Sequence, residues 1–123
     1  MDARNRSGFE VRILGTRGNI EPKNRRHARH SGVLLGGELL LDLGEPRFLR
    51  YHPRWILVTH LHPDHAFFMK RPVTGLRVYA PEAHRSARVR VVRPREALRL
   101  GSWRVTALPV LHSQKVRSAA PAV

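Results

Sequence analysis

Short apolar runs separated by Gly and Pro breaks dominate the chain, so strands are its main predicted element. FEVRILG (9–15) alternates and then ends in apolar residues and Gly15, which predicts a first strand. The stretch TRGNIEPKNRRHARHS (16–31) is polar and basic, with Gly18 and Pro22 as breakers, and reads as a loop. GVLLGGELLLDLG (32–44) reads as two strands hinged at Gly36 and Gly37, with Asp42 at the end of the second. EPRFLRYH (45–52) suggests one or two helical turns before Pro53. WILVTH (55–60) is a continuous apolar run between turn signals, the pattern of a strand buried on both faces.

Further along, Asp64–Lys70 is predicted as a short helix with Pro63 near its start. LRVYA (76–80) predicts a strand, and PEAHRSARVRVV (81–92) a helix that opens on Pro81 and Glu82. EALRLG (96–101) and SWRVTALPV (102–110) predict a strand pair turned at Gly101 and Ser102. No repeat or internal boundary interrupts the pattern. The expectation is one domain over residues 1–123, of α/β order, with an ordered core from about 9 to 113 and flexible ends at 1–8 and 114–123.

Composition changes this picture in two ways. Apolar residues make up 41% of the chain, a globular share, and 123 residues can bury about two thirds of their unfolded surface. Charge is lopsided, with 23 Lys and Arg against 9 Asp and Glu, a net of +14. Such a balance favours contact with a polyanion, RNA above all, although basic residues spread along the whole chain fit a compositional bias equally well. The basic loop KNRRHARH (23–30) carries Lys23, Arg25, Arg26 and Arg29 and could contact phosphate, though charged runs are more often solvated loops. Cysteine is absent, which excludes disulfides, thiolate metal sites and cysteine nucleophiles. Neither a signal-like apolar segment nor an apolar run of membrane-spanning length occurs, so a cytoplasmic protein without membrane contact is expected.

Candidate chemistry concentrates in LVTHLHPDHAFF (57–68). His60 and His62 are two apart at the end of an extended run, so both imidazoles can face one pocket. Pro63 turns the chain, and Asp64 and His65 follow in a new direction. Without a cation, four such groups behind a buried strand would crowd polar atoms together at a free-energy cost. Imidazole and carboxylate donors suit zinc. His27, His30, His52 and His84 lack such a setting and read as incidental.

THLHPDH (59–65) resembles the H-x-H-x-D-H motif of the metallo-β-lactamase superfamily. LLLDLG (39–44) resembles that superfamily's early aspartate strand, PVLHS (109–113) the segment supplying its next histidine, and ILGTRG (13–18) the opening of ribonuclease Z-like and phosphodiesterase-like members. The resemblance spans about Phe9 to Ser113 and implies the N-terminal half of a four-layer αββα sandwich, an α/β (α+β) fold. It implies metal ligands at His60, His62, Asp64, His65 and His112, with Asp64 as catalytic residue and Asp42 supporting the metal loop without ligating. It also implies hydrolysis by a zinc-bound hydroxide, here of a phosphodiester or RNA.

Superfamily members add a bridging aspartate and a final histidine later in the chain. This sequence has no Asp or Glu beyond Glu96 and no His beyond His112. The expectation is therefore one competent zinc position, on His60, His62 and His112, and one incomplete position, on Asp64 and His65. Half a sandwich would leave an apolar sheet face open, so a complementing C-terminal half or a homo-oligomer is the expected partner. The competing expectation is a truncated, non-catalytic metal-binding fragment. A third is a basic RNA-binding module with incidental histidines.

Overall fold

The computed structural model describes residues 2–4, 8–16 and 29–109. Among these residues nine strands form: β1 (Asp2–Arg4), β2 (Glu10–Gly15), β3 (Gly32–Leu35), β4 (Leu39–Leu41), β5 (Trp55–Leu57), β6 (Arg77–Ala80), β7 (Arg88–Val91), β8 (Ala97–Leu100) and β9 (Trp103–Thr106). The first seven make one sheet in sequential order, and β8 and β9 make a separate hairpin. Pairing is antiparallel from β1 to β4 and parallel from β4 to β7. The carboxyl ends of β4, β5 and β6 therefore share one edge, the edge at which open α/β sheets bind ligands.

Alternation decides which residues enter the core. Leu34, Leu40, Ile56, Val58, Val78 and Ala80 project from one face of the sheet. The connections carry Phe48, Phe67 and Phe68 onto that face, and Phe48 and Phe68 are almost fully buried. Gly32 is where Phe48 fits: a Cβ there would stand 2.4 Å from the ring.

The opposite face is less covered. The β8–β9 hairpin meets it at one end, where Gly101 packs on Trp55 and Gly36 on Trp103. Trp103 Nε1–H donates to Glu38 at 3.0 Å, and Phe9 packs edge-on against the same indole. Elsewhere, among the described residues, no element covers this face, and Ile13 is 51% exposed. Both tryptophans are half-buried, as partners in this contact.

The predicted hairpins form as read, with Gly36, Gly37 and Gly101 all at positive φ. Three expectations differ. Residues 81–92 form no helix: Arg88–Val91 alternate with period two and pair in parallel beside β6. Helix Asp64–Lys70 reduces to a 3-10 helix at Phe67–Met69. Its backbone is diverted, because Leu43 N–H donates to His65 O at 2.7 Å and Phe67 N–H to Leu43 O at 2.9 Å. Those bonds form a parallel bridge and use groups that an α-helix would need. Finally, Asp2–Arg4, inside a segment expected to fray, pairs as β1 with β2. The segment 45–52 does make its helical turns, as a 3-10 helix at Pro46–Tyr51 ending on His52.

Candidate functional site

Asp42 anchors the site. It follows β4 directly, its N–H donates to Leu57 O at 2.7 Å, and its backbone takes φ 68. Aspartate tolerates this left-handed region better than most residues, yet the conformation persists only where surroundings hold it. The surroundings here are four donors on one buried carboxylate, which is only 6% exposed. Thr59 N–H donates to Oδ1 at 2.8 Å, and the Thr59 hydroxyl lies 3.0 and 3.2 Å from the two oxygens. Ser31 Oγ–H donates to Oδ2 at 3.2 Å, and His65 Nδ1–H donates to Oδ2 at 2.7 Å. A carboxylate so bonded is satisfied despite its burial.

The loop after β5 folds back on this anchor. His65 N–H and Ala66 N–H both donate to His62 O, at 2.9 and 2.8 Å, closing a tight turn over Pro63 and Asp64. The turn brings the imidazoles together: ring centroids are 4.8 Å apart for His60 and His62, edge-on, and 4.0 Å for His60 and His65, tilted. The Thr59 oxygen lies 3.1 Å from His60 Nδ1. Thr59 can thus donate to Asp42 and accept from His60 Nδ1–H, leaving His60 Nε2 as a lone-pair donor.

Asp64 is also buried, 8% exposed, and its Oδ2 lies 3.1 Å from His65 Nε2. His65 stands between two carboxylates. Burial opposes charging of its ring, but the Asp42 hydrogen bond and charge, with the Asp64 charge, outweigh it and raise the pKa above the usual 6.5. With Nδ1–H committed to Asp42, a positive charge has to sit between Nε2 and Asp64, either a proton or a metal cation.

A strap at residues 29–32 closes one side. Ser31 N–H donates to Asp64 O at 3.1 Å and Gly44 N–H to Ser31 O at 3.0 Å. A Cβ on Gly44 would meet Asp64 O and His30 Cβ, both at 2.6 Å. His30, read above as incidental, pins this strap to Glu45 with its backbone N–H at 3.0 Å and Nδ1 at 2.8 Å. His52 ends the first 3-10 helix, and His84 Nδ1 lies 2.6 Å from Ser86 Oγ.

The fold thus gathers His60, His62, Asp64, His65 and Asp42 at one sheet edge. His112, and His27 with most of the basic loop 23–30, lie outside the described residues. Among the described residues, no group of three His, Asp or Glu meets the geometry for holding a metal ion. By donor type the site nonetheless fits one: neighbouring imidazoles beside two buried carboxylates, with Nδ1 positions engaged by Asp42 and Thr59, is the support that histidine ligands use. Thr59 and Ser31 escaped the sequence reading, and the one signal for Thr59 was its place just ahead of the first histidine.

Searches against protein-family models and against curated proteins give no match. Among solved structures, the metallo-beta-lactamase fold protein YhfI from Bacillus subtilis is similar, with a TM-score of 0.60 at 19% identity. The match covers 86% of this chain and 55% of that one, so the chain spans little more than half the length of this relative. No helix among the described residues is long and apolar enough to cross a membrane. A sheet-dominated α/β chain that superimposes on YhfI to this extent has the metallo-β-lactamase fold over the part that the match spans.

Proposed function

We propose that the chain carries the metal-binding portion of a zinc-dependent hydrolase that acts on phosphodiesters. The observation that supports this most is the folding of loop 59–65 onto Asp42, which packs three imidazoles against one another beside a second buried carboxylate. His60 and His62 would hold the metal, with His112 as third ligand, and Asp64 and His65 would offer a weaker second position. A bound zinc would supply Lewis acidity, lowering the pKa of water to about 7. The remaining work falls to the chain. Asp42 and Thr59 fix the tautomers of His65 and His60, and Asp64 holds or takes the proton at the site. The phosphodiester preference rests on the net charge of +14 and on the likeness of ILGTRG to the opening of phosphodiesterase-like members. The proposal includes a cytoplasmic setting.

The test is hydrolysis of a generic aryl phosphodiester by metal-stripped protein with and without added zinc. Zinc-dependent turnover that disappears in H60A/H62A is expected. Turnover unaffected by either change counts against the reading.

A second reading is a non-catalytic metal-binding fragment that becomes active only with a complementing C-terminal half or a second copy. The open sheet face favours it, since Ile13 is exposed there and Val33, Leu41 and Leu57 are only half-buried. Zinc binding without turnover is its signature.

A further inference from the structure

At the other end of β6 from the histidine loop, a shallow cavity of about 310 Å³ opens beneath the starts of β6 and β7. Val73, Thr74, Leu76, Arg85, Ser86 and Arg88 line it. Arg88 stands directly opposite Arg77 in the parallel register, and Arg90 opposite Tyr79. Val78 and Val89 turn into the core, so Arg77, Tyr79, Arg88 and Arg90 share the other face. Neighbouring strands are about 4.8 Å apart, and like charges directly opposite repel. Nothing described relieves that repulsion: among the described residues, no carboxylate lies within ion-pairing distance of Arg77, Arg85, Arg88 or Arg90. From Arg71 to Arg104 the sequence holds nine arginines against Glu82 and Glu96 alone.

We propose that this cavity and the adjoining arginine row bind the phosphate backbone of single-stranded RNA, with Arg85 and Arg88 as the principal contacts. Guanidinium forks match phosphate oxygens, and the Thr74 hydroxyl adds a neutral donor within the same cavity, the Ser86 hydroxyl being engaged by His84 Nδ1 at 2.6 Å. A row of three arginines along two strands, Arg77, Arg88 and Arg90, with Arg85 just ahead of β7, suits successive phosphates of a chain better than one small anion. Tyr79 gives the row an aromatic face: the Arg90 guanidinium already lies 5.9 Å from its ring centre. Aromatic rings beside a basic track are the usual platform for unpaired bases. The site lies apart from the histidines and needs no metal, so it stands whether or not the chain hydrolyses anything. If it does, the site would hold substrate at a distance from the reaction.

The test is fluorescence anisotropy of the full chain with labelled single-stranded oligouridylate, across a salt series. R85Q/R88Q is expected to weaken binding about tenfold or more and to make the slope of log affinity against log salt shallower by about 1.4. R85K/R88K should keep most of the slope, and R47Q/R50Q, on the first 3-10 helix, should leave affinity nearly unchanged. Unaltered binding by R85Q/R88Q overturns the proposal, as does an equal loss in R47Q/R50Q. Inorganic phosphate competing as strongly as the oligonucleotide would assign the cavity to a small phosphate ligand instead. H60A/H62A separates the two proposals: it should abolish zinc-dependent turnover while RNA binding persists.

Discussion

His65 Nδ1 lies 2.7 Å from Asp42 Oδ2, joining two residues 23 positions apart at the edge where β4 and β5 end. That bond ties the histidine loop to the sheet, and Asp42 extends the tie to Thr59 and Ser31. The carboxylate is thus the point through which the imidazoles are oriented.

Asp42→Ala should be among the most damaging single changes. It leaves the Thr59 N–H, the Ser31 hydroxyl and His65 Nδ1–H without their acceptor, at about 3 kcal/mol in all. Zinc affinity should fall about 10- to 100-fold as the histidines lose their support. Chemical denaturation of metal-free protein and a zinc titration of each variant check the two effects separately. Asp42→Asn should cost less stability, since its amide oxygen can still accept from Thr59 N–H.

Gly44→Ala should loosen the strap over Asp64. The new methyl would meet two backbone atoms, Asp64 O at 2.6 Å and Ser31 N at 2.8 Å, and neither can swing aside as a side chain could. A loss of about 2 kcal/mol is expected on denaturation. Gly37→Ala is the control, because nothing lies within 4 Å of a Cβ there and only its φ of 70 is strained.

Phe68→Ala tests the core beneath the site. Phe68 is fully buried among Phe67, Leu61 and the inner face of the sheet, and its loss should cost about 3–5 kcal/mol. A cost below about 1 kcal/mol would mean that the 3-10 helix after the histidine loop is not packed as described.

Glu38→Ala should free the hairpin without unfolding the sheet. Glu38 accepts from Trp103 Nε1–H at 3.0 Å and faces Arg54 at 3.5 Å. The expected loss is about 1 kcal/mol, with a red-shifted tryptophan emission as Trp103 gains water.

What the sequence disclosed was what neighbouring residues determine. The Gly36–Gly37 and Gly101 turns need positive φ, and the apolar run before His60 marks β5, although that strand is confined to Trp55–Leu57 and is buried on one face alone, with Trp55 and Leu57 half-buried on the other, where burial on both faces was expected. The H-x-H-x-D-H spacing likewise compresses the site into six residues. Long-range pairing stayed hidden. Leu43 captures His65 and Phe67 across more than twenty residues and so prevents the helix that Pro63 and Asp64 suggested. Pro81 and Glu82 look like a helix start, but the alternation of Arg88, Val89, Arg90 and Val91 beside β6 decides the outcome. His30 looked incidental because its partner, Glu45, lies fifteen positions away.

The most direct test is a zinc titration of the metal-stripped chain by calorimetry, with cobalt substitution to read the ligand set. One tightly bound equivalent is expected, with a cobalt spectrum of imidazole-ligated metal and loss of both in H60A/H62A. Tight zinc binding that survives H60A/H62A, or no tight binding by the unaltered chain, would contradict the proposed zinc site.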